Sequence, residues 1–294
     1  MLLGRKMRPF TSLFFKLPMR PITAVQNNAQ NRYMDHEFCF LVDMEDQPIG
    51  TASKKFCHER KDNQRPPLHR AFSLFLYAPK NDPKGSSTNL CLLMQQRASS
   101  KLTYPNLWSN TCCSHPLSTV SGEDEQRDAL GLRRASQRKI LHELGIQPDR
   151  YLPLEHVHFL TRILYYAPNS DAADPRWAEH ELDALLVSVL PDDPDRNPRS
   201  DWMRCNSDEV SATRWISRSD VDSLARCDPP NPNCIHQWTL DSLTPWFRSL
   251  LTTGLLHRLW DWAEAYANLQ SDFLRFQAEN QRWDRARIHR LHCS

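Results

Sequence analysis

The feature that most restricts the fold of this chain is one long helical pattern enclosed by strand-like runs. Between Asp124 and Leu144, small or apolar residues recur at spacings of three and four, and Gly145 follows where a helix would end. Strand-like runs lie on both sides of it, at residues 37–42, 71–77, 90–95, 157–167 and 181–190. From about residue 242 the pattern is helical again. This order predicts an α/β (α+β) layered fold, with a mixed β-sheet flanked by helices.

The composition is typical of soluble globular proteins and gives no signal for nucleic-acid or membrane binding. Of 294 residues, 40% are hydrophobic and 24% are charged, and 37 Lys and Arg nearly balance 35 Asp and Glu. No apolar run approaches the roughly 18 to 20 residues that a membrane-spanning helix needs. The 9 cysteines are odd in number, two are adjacent, and no secretory signal precedes them. We therefore expect reduced thiols in an intracellular compartment.

The chain divides into three parts by composition. Residues 1–34 form a basic leader with no acidic residue before Asp35. This composition is equally typical of an organelle transit segment and of a disordered tail without function. Residues 35–265 are expected to form one domain, and residues 266–294 a helical or polar extension. We expect a cytoplasmic protein, with a mitochondrial or other organelle transit role for the leader left open.

Three histidines and two glutamates could together form a metal site. Taken singly, His58, His69 and His115 are more often hydrogen-bonded imidazoles than ligands, because their spacing matches no metal-binding signature. Glu179 and Glu181 change that balance, since residues two apart on a strand point to the same side; a solvated strand face is the alternative. Five imidazole and carboxylate ligands suit Mg or Mn better than tetrahedral structural zinc, although zinc can occupy such sites.

Cys113 and Glu181 could act as an acid and base pair on opposite sides of a substrate. Cys113 lies two residues before His115, and a thiol beside a metal site has a perturbed pKa. An ordinary buried thiol is the commoner fate of a free cysteine. Cationic side chains that could bind a diphosphate are found at Lys54, Arg97 and Lys101. Without a neighbouring site, these cations would be interpreted as solvated surface charges.

The end of the predicted helix, residues 138–146, resembles the tail of a Nudix box with most of its acids replaced. Lys139 and His142 replace two glutamates of that pattern, and Leu130 stands where an upstream glutamate is expected. Only Glu143 remains. A Nudix hydrolase uses several helix carboxylates to hold Mg and activate water. We therefore expect a Nudix-like fold in which that hydrolysis is crippled.

Several motifs in a fixed order carry a resemblance to a known family. They are Leu68-His69-Arg70-Ala71-Phe72-Ser73, Gln95-Gln96-Arg97, Tyr104-Pro105 before Trp108, Asn110-Thr111-Cys112-Cys113-Ser114-His115-Pro116, Leu132-Arg133-Arg134-Ala135, Glu179-His180-Glu181 and Thr244-Pro245-Trp246-Phe247. Together they resemble type 1 isopentenyl-diphosphate delta-isomerase, of the Nudix-fold superfamily. The resemblance covers roughly residues 35–265, and the combination is far more specific than any single motif.

The resemblance implies an isomerase that interconverts isopentenyl and dimethylallyl diphosphate by protonation and deprotonation through a carbocation. In the family the second cysteine of the Cys-Cys-Ser-His motif is catalytic, which is Cys113 here, with Glu181 as its partner and Tyr165 assisting. The residues implied to bind substrate are Lys54, Arg97, Lys101, Ser114 and Trp246. The implied metal ligands are His58, His69, His115, Glu179 and Glu181, with Glu143 for a second Mg on the diphosphate.

The implied cofactor is a divalent metal, Mg by preference with Mn or Zn as alternatives at the His/Glu site. No redox cofactor is expected, because the chain has no glycine-rich dinucleotide loop. The expected partner is a small prenyl diphosphate, with no nucleic acid and no membrane span. We expect a monomer, although departures from the family pattern leave the oligomeric state open. These departures are Asn106 in place of a common glycine, a long loop at 191–214 and the C-terminal extension.

Two other functions compete with the isomerase. One is a Nudix-type pyrophosphohydrolase of a prenyl or nucleoside diphosphate, which the replacements at Leu130, Lys139 and His142 disfavour. The other is a binding or regulatory relative that has lost catalysis. Retention of Cys113, Glu181 and all five expected ligands disfavours that interpretation.

Overall fold

The computed structural model describes residues 24–62, 64–79, 90–169, 175–190, 202–226, 238–269 and 283–293. The helices are α1 (Ala24–His36), α2 (Lys54–His58), α3 (Leu130–Leu144), α4 (Pro148–Tyr151), α5 (Arg218–Arg226), α6 (Pro245–Thr252) and α7 (Leu255–Leu269). The strands are β1 (Phe38–Val42), β2 (Pro48–Ser53), β3 (His69–Pro79), β4 (Leu90–Arg97), β5 (Trp108–Ser109), β6 (Cys112–Ser114), β7 (His158–Pro168), β8 (Ala178–Val189), β9 (Val210–Ser217) and β10 (Ile288–Arg290).

The strands form one mixed sheet in the order β10-β7-β8-β3-β1-β2. β3 pairs in parallel with β8 on one side. On its other side, β3 pairs with β1 at its first residue, with β6 in its middle and with β4 at its end. β5 and β9 extend the sheet beyond β4. A mixed sheet flanked by helices confirms the predicted α+β class.

Each face of the sheet buries its own hydrophobic core, because side chains alternate along the strands. Phe75 and Tyr77 of β3 pack with α6 and α7 on one face. Phe72, Leu74 and Leu76 pack with α3 on the other face. The result is a layered sandwich with helices on both sides. The polar residues that interrupt the first face lie near the starts of β3 and β8, and this end of the sheet carries the candidate site.

The predicted central helix begins later than its pattern indicated. Residues 124–126 are irregular and Arg127–Ala129 form one 3-10 turn, in which Asp128 (φ 52°) and Ala129 (φ 53°) have left-handed backbone conformations, and α3 starts at Leu130. The loop folds back onto the first turn of α3, where a Cβ at Gly131 would lie 2.3 Å from the carbonyl oxygen of Glu123. The predicted end is confirmed, because Gly145 (φ 67°) terminates α3 in the left-handed conformation that favours glycine.

Several segments at the edges of the predicted domain carry strands or helices. Gln30 and Met34 of α1 are buried, and Gln30 donates a hydrogen bond to the carbonyl of Asp208. β9 forms within and beyond the end of the predicted 191–214 loop, and β10 in the extension pairs in parallel with β7. Residues 1–23, 191–201 and 270–282 lie outside the described residues, so the domain boundaries stay predictions. In the described part of the chain, no helix combines the length and apolar character needed to cross a bilayer.

Candidate active site

Three strands and a short helix bring the predicted metal ligands to one end of the sheet. His58 ends α2, His69 begins β3, and His115 follows β6 directly. The parallel register of β3 and β8 places His69 opposite Glu181. Glu179 precedes Glu181 by two residues on β8, so both carboxylates point to the same face, as the sequence predicted. Residues far apart in the chain thus meet because of strand pairing.

The five side chains form a compact buried cluster. Each is at most 5% exposed, and one ligand atom from each lies within 4.8 Å of all the others. His58 Nε2 lies 2.9 Å from Glu179 Oε2, and His115 Nε2 lies 2.7 Å from Glu181 Oε1. His69 Nε2 is 3.2 Å from His115 Nε2. Imidazole and carboxylate groups converging at these distances have the donor chemistry of a divalent cation site.

The outer nitrogens of two imidazoles orient the rings toward the centre of the cluster. His58 Nδ1 lies 2.6 Å from the carbonyl oxygen of Lys54, and His69 Nδ1 lies 3.1 Å from that of Pro67. A carbonyl only accepts, so both Nδ1 atoms carry hydrogen, and in the neutral rings the Nε2 lone pairs face the cluster. Backbone anchoring of this kind is typical of metal-ligating histidines. His115 Nδ1 is buried with no hydrogen-bond partner among the described residues.

The pKa shifts of the cluster favour the ionised form of its two carboxylates. Burial opposes ionisation of Glu179 and Glu181, yet interactions with His58 lower the pKa of the Glu179 carboxyl, and interactions with His69 and His58 lower that of the Glu181 carboxyl. Burial would also lower the pKa of His69, but its hydrogen bond to Glu181 and nearby negative charges raise that pKa to about 9. Burial and the charges of its neighbouring histidines hold the pKa of His115 well below its ordinary value. The pocket therefore holds two ionised carboxylates that require a cation or protons.

Cys113 lies beside the cluster, on the same face of the sheet as Glu181. β6 pairs Cys113 with Ser73 of β3, and Ser73 Oγ lies 3.4 Å from Cys113 Sγ and 2.7 Å from Asp183 Oδ2. Ligand atoms of Cys113, Glu181 and Asp183 all lie within 4.8 Å of one another. Burial, reinforced by the charges of Asp183 and Glu181, raises the pKa of the Cys113 thiol well above its usual value. On the other side of Glu181, the Tyr165 hydroxyl donates a hydrogen bond to Oε2.

Aromatic rings cover the space next to this thiol and carboxylate. The indole of Trp246, from the first turn of α6, stacks with Tyr165 at a centroid distance of 5.9 Å. Tyr104 meets Trp246 edge-on at 5.4 Å. Tyr104 and Asn106 both have positive φ, and Asn tolerates the left-handed conformation better than most residues. Together these rings form an apolar wall.

Four cations that share a cavity with these groups form a cluster with nearby acids. Lys54 Nζ is 2.8 Å from Glu37, Lys101 Nζ is 2.5 Å from Glu209, and Lys139 Nζ is 3.1 Å from Glu143. The guanidinium of Arg97 donates hydrogen bonds to the carbonyls of Thr103 and Tyr104. These four cations exceed the three acids by one positive charge, and Ser114 adds a hydroxyl. Such a cluster can bind a compact dianion.

One cavity is lined by most of these groups. All of the predicted site residues line it except His69, which is completely buried behind it. Its lining is Gln30, Tyr33, Met34, Lys54, His58, Arg97, Lys101, Leu102, Thr103, Cys113, Ser114, His115, Lys139, Glu143, Tyr165, Glu179, Glu181 and Trp246. The fold therefore brings the predicted residues together, while their roles stay predictions.

Several polar residues of this region are not predicted from the sequence. The Nudix-box pattern identifies Lys139 only as the replacement of a glutamate, although its position on α3 puts its amine beside Glu143 in the cavity. Asp183 shares the face of Glu179 and Glu181 by the same two-residue spacing, a signal that was available. Tyr33 enters the cavity from the predicted leader, where basic composition concealed it.

The similarity to known proteins is extensive along the chain. It is 40% identical over 236 residues to isopentenyl-diphosphate delta-isomerase of Gibberella zeae, covering 80% of this chain and 79% of that protein. It is 38% identical over 237 residues to the isopentenyl-diphosphate delta-isomerase of Phaffia rhodozyma, covering 80% of each. The relative named isopentenyl-diphosphate delta-isomerase 1 in Bos taurus is 37% identical over 225 residues, or 76% of this chain and 85% of that protein. No family model matches the chain.

Solved structures show a weaker likeness. A Nudix hydrolase from Alicyclobacillus acidocaldarius is 13% identical, with a TM-score of 0.37 over 57% of this chain and 88% of that one. A MutT protein from Methanosarcina mazei is also 13% identical, with a TM-score of 0.32 over 72% of this chain and 97% of that one. TM-scores this low do not assign a fold.

Proposed function

Because the chain belongs to the isopentenyl-diphosphate delta-isomerase family, we propose that it interconverts isopentenyl and dimethylallyl diphosphate. The observation that best supports this is the placement of Cys113 and Glu181. A sulfur and a carboxylate oxygen within 4.8 Å of each other can contact the same five-carbon unit. Aromatic rings border this position, and a cationic cluster lies in the same cavity.

The reaction requires two proton transfers on one carbon skeleton. One of the two groups, Cys113 or Glu181, donates a proton to the terminal alkene carbon, and the π electrons form the new C–H bond. The tertiary carbocation then loses a proton from the neighbouring methylene to the other group, and the C–H electrons form the new double bond. Tyr165 assists by its hydrogen bond to Glu181. Positioned proton transfer of this kind contributes about 100- to 10,000-fold in rate.

The carbocation needs stabilisation and protection from water. The π face of Trp246 can contribute about 2 kcal/mol or more when the site is dry. Trp246 is only 1% exposed, and Tyr165 is 2% exposed, so the aromatic wall is well shielded. Water that entered would trap the cation as an alcohol.

A divalent metal fits the His/Glu cluster, and we assign it to His58, His69, His115, Glu179 and Glu181. The buried carboxylates and the oriented imidazole nitrogens support this. Mg is the proposed ion, with Mn or Zn as alternatives at these mixed ligands. When bound, the metal supplies a fixed positive charge that orients Glu181. No redox cofactor is needed, because isomerisation leaves the oxidation level of the substrate unchanged.

The diphosphate is proposed to lie against Lys54, Arg97, Lys101 and Ser114, with Glu143 holding a second Mg. Lys139 joins this group, because its amine lies in the same cavity beside Glu143. A substrate dianion would exchange the present acid partners of these cations for phosphate oxygens. The partner is therefore a small prenyl diphosphate, bound by a protein that we propose to be monomeric.

A product assay tests the proposed function. The purified protein with isopentenyl diphosphate and Mg is expected to form dimethylallyl diphosphate without releasing phosphate. Chelator-treated protein should lose this activity and regain it when the metal is restored. Release of phosphate without the dimethylallyl product would instead support a pyrophosphohydrolase.

Glu143→Gln is expected to raise the KM for isopentenyl diphosphate about tenfold and to change kcat less than about threefold, because the lost group acts in binding. The Mg concentration needed for half-maximal rate should rise in parallel. Steady-state kinetics over a range of Mg concentrations measures both effects. An unchanged KM would contradict a bridging role for this carboxylate.

We propose a cytoplasmic location, with organelle import through residues 1–34 as the alternative. Relatives from Arabidopsis thaliana and Cannabis sativa are named chloroplastic, whereas others carry no compartment in their names. Fusing residues 1–34 to a fluorescent reporter distinguishes the two. Diffuse cytosolic fluorescence supports the first location, and organelle fluorescence supports the second.

A further inference from the structure

We propose that Asn110 is a positioning residue for isomerisation, which holds the indole of Trp246 and the strand of Cys113 in one fixed relation. The inference rests on the proposed function, because it concerns two groups that must meet one carbon skeleton. Asn110 lies between β5 and β6, and its side chain is completely buried. Its side chain forms hydrogen bonds with Ser109, Leu74, Cys112 and Trp246, and none of these four belongs to the expected metal ligands or to the cationic cluster.

The amide of Asn110 uses both of its polar ends. Its Oδ1 accepts hydrogen bonds from Ser109 Oγ at 2.9 Å and from Trp246 Nε1 at 3.3 Å. Its Nδ2 donates to the carbonyls of Leu74 at 3.2 Å and Cys112 at 2.9 Å. Both lone-pair positions of the oxygen and both amide hydrogens are therefore occupied. A side chain that only filled space would not need four bonds directed at four different partners.

The bond to Trp246 sets the rotation of the indole. An indole carries a single hydrogen-bond donor, and here that donor is satisfied by Asn110. Stacking with Tyr165 at an interplanar angle of 28° fixes the tilt of the ring, but stacking tolerates sliding and rotation in the ring plane. The directional hydrogen bond removes that remaining freedom. The face of Trp246 is thereby held at one position over the cavity.

The other end of the same amide holds the strand of the thiol. Asn110 Nδ2 bridges the carbonyls of Cys112 on β6 and Leu74 on β3, and these two residues are paired in the sheet. The next pair in that register is Cys113 with Ser73. A shift of the amide would therefore move both the aromatic face and the backbone that carries the sulfur. Trp246 and Cys113 are coupled through one rigid group.

Asn110→Ala tests this coupling, because it should lower kcat while leaving KM almost unchanged. We expect kcat to fall about 100-fold, since misplacement of reacting groups by an ångström costs about that much in rate. The KM for isopentenyl diphosphate should stay within about threefold, because the diphosphate contacts are unchanged. A diphosphate that carries a tertiary ammonium group mimics the positive charge of the carbocation. The affinity of the variant for this compound should fall by a similar factor to kcat.

Thr111→Ala is the matched control. Thr111 is also completely buried and bridges two strands, accepting from the amide of Leu76 at 2.8 Å and donating to the carbonyl of Leu93 at 2.6 Å. Its loss should lower the melting temperature as Asn110→Ala does, while kcat stays within about threefold of the parent value. An Asn110→Ala protein with parental kcat would overturn the proposal. So would an equal loss of kcat in Thr111→Ala, since the effect would then be structural.

If Asn110→Ala does not fold, Ser109→Ala provides an alternative test. Ser109 Oγ donates to Asn110 Oδ1 and lies 3.0 Å from Thr244 Oγ1, so its loss loosens the amide without removing it. We then expect kcat to fall about fivefold with KM unchanged, and an unchanged kcat would overturn the inference. Failure of the proposed function is distinguishable, because the unaltered protein would then form no dimethylallyl diphosphate at all.

Discussion

Cys113→Ala is expected to lower kcat at least about 1,000-fold, because a methyl group can neither donate nor accept a proton. This corresponds to about 4 kcal/mol of transition-state stabilisation. Binding of the diphosphate should remain, since Cys113 is not among the proposed diphosphate contacts. Product formation by steady-state kinetics and substrate affinity by calorimetry measure the two effects separately.

The adjacent cysteine provides the control for that variant. Cys112 is completely buried and packs on the opposite face of the sheet, in the core beneath α3. Cys112→Ala should lose about 1 kcal/mol of unfolding free energy through lost packing, yet retain kcat. If Cys113→Ala were as active as the parent, the thiol would have no part in the reaction, and a mechanism without it would be required.

Glu181→Gln is expected to abolish measurable turnover, a loss of about 1,000-fold or more, because an amide cannot exchange the required proton. The amide oxygen retains the shape of the side chain, so the diphosphate should still bind. Metal content should fall as well, since Glu181 lies among the five clustered ligand atoms. Rate, substrate affinity and metal stoichiometry measured on one preparation distinguish these consequences.

Glu123→Gln is the matched control for a buried carboxylate. Glu123 is 3% exposed and paired with Arg138 at 2.6 Å, but it lies outside the lining of the cavity that holds the candidate site. Its replacement should cost about 1 to 3 kcal/mol of stability and leave kcat unchanged. Comparable activity in Glu181→Gln and the parent would exclude the carboxylate as a proton carrier.

Local sequence patterns predicted the structure correctly where the geometry depends on a single strand or helix. The two-residue spacing of Glu179 and Glu181 predicted a shared face, and β8 has that arrangement. The glycine signal at Gly145 located the end of α3. The helix starts later than its pattern predicts, because the preceding turn folds back so closely that a Cβ at Gly131 would lie 2.3 Å from the carbonyl oxygen of Glu123, an approach that the helical pattern does not reveal.

Short and polar strands were missed for a related reason. β2 is largely exposed and carries no alternating apolar pattern, so only its pairing with β1 defines it. β6 has three residues and is formed by register with β3. The periodicity of apolar residues in a sequence reports which residues are buried. These strands depend instead on hydrogen bonds to neighbouring strands, so the periodicity does not reveal them.

By itself the sequence determined the α+β class, the helix end at Gly145, the shared face of Glu179 and Glu181, and, through ordered motifs, the family. Those properties depend on residues close together in the chain or on a motif pattern. Only the tertiary structure decided that His69 lies opposite Glu181, that Ser73 and Asp183 lie beside Cys113, and that one amide joins Trp246 to β6. Strand register and the docking of α6 set these contacts, and both depend on long-range packing across the sheet.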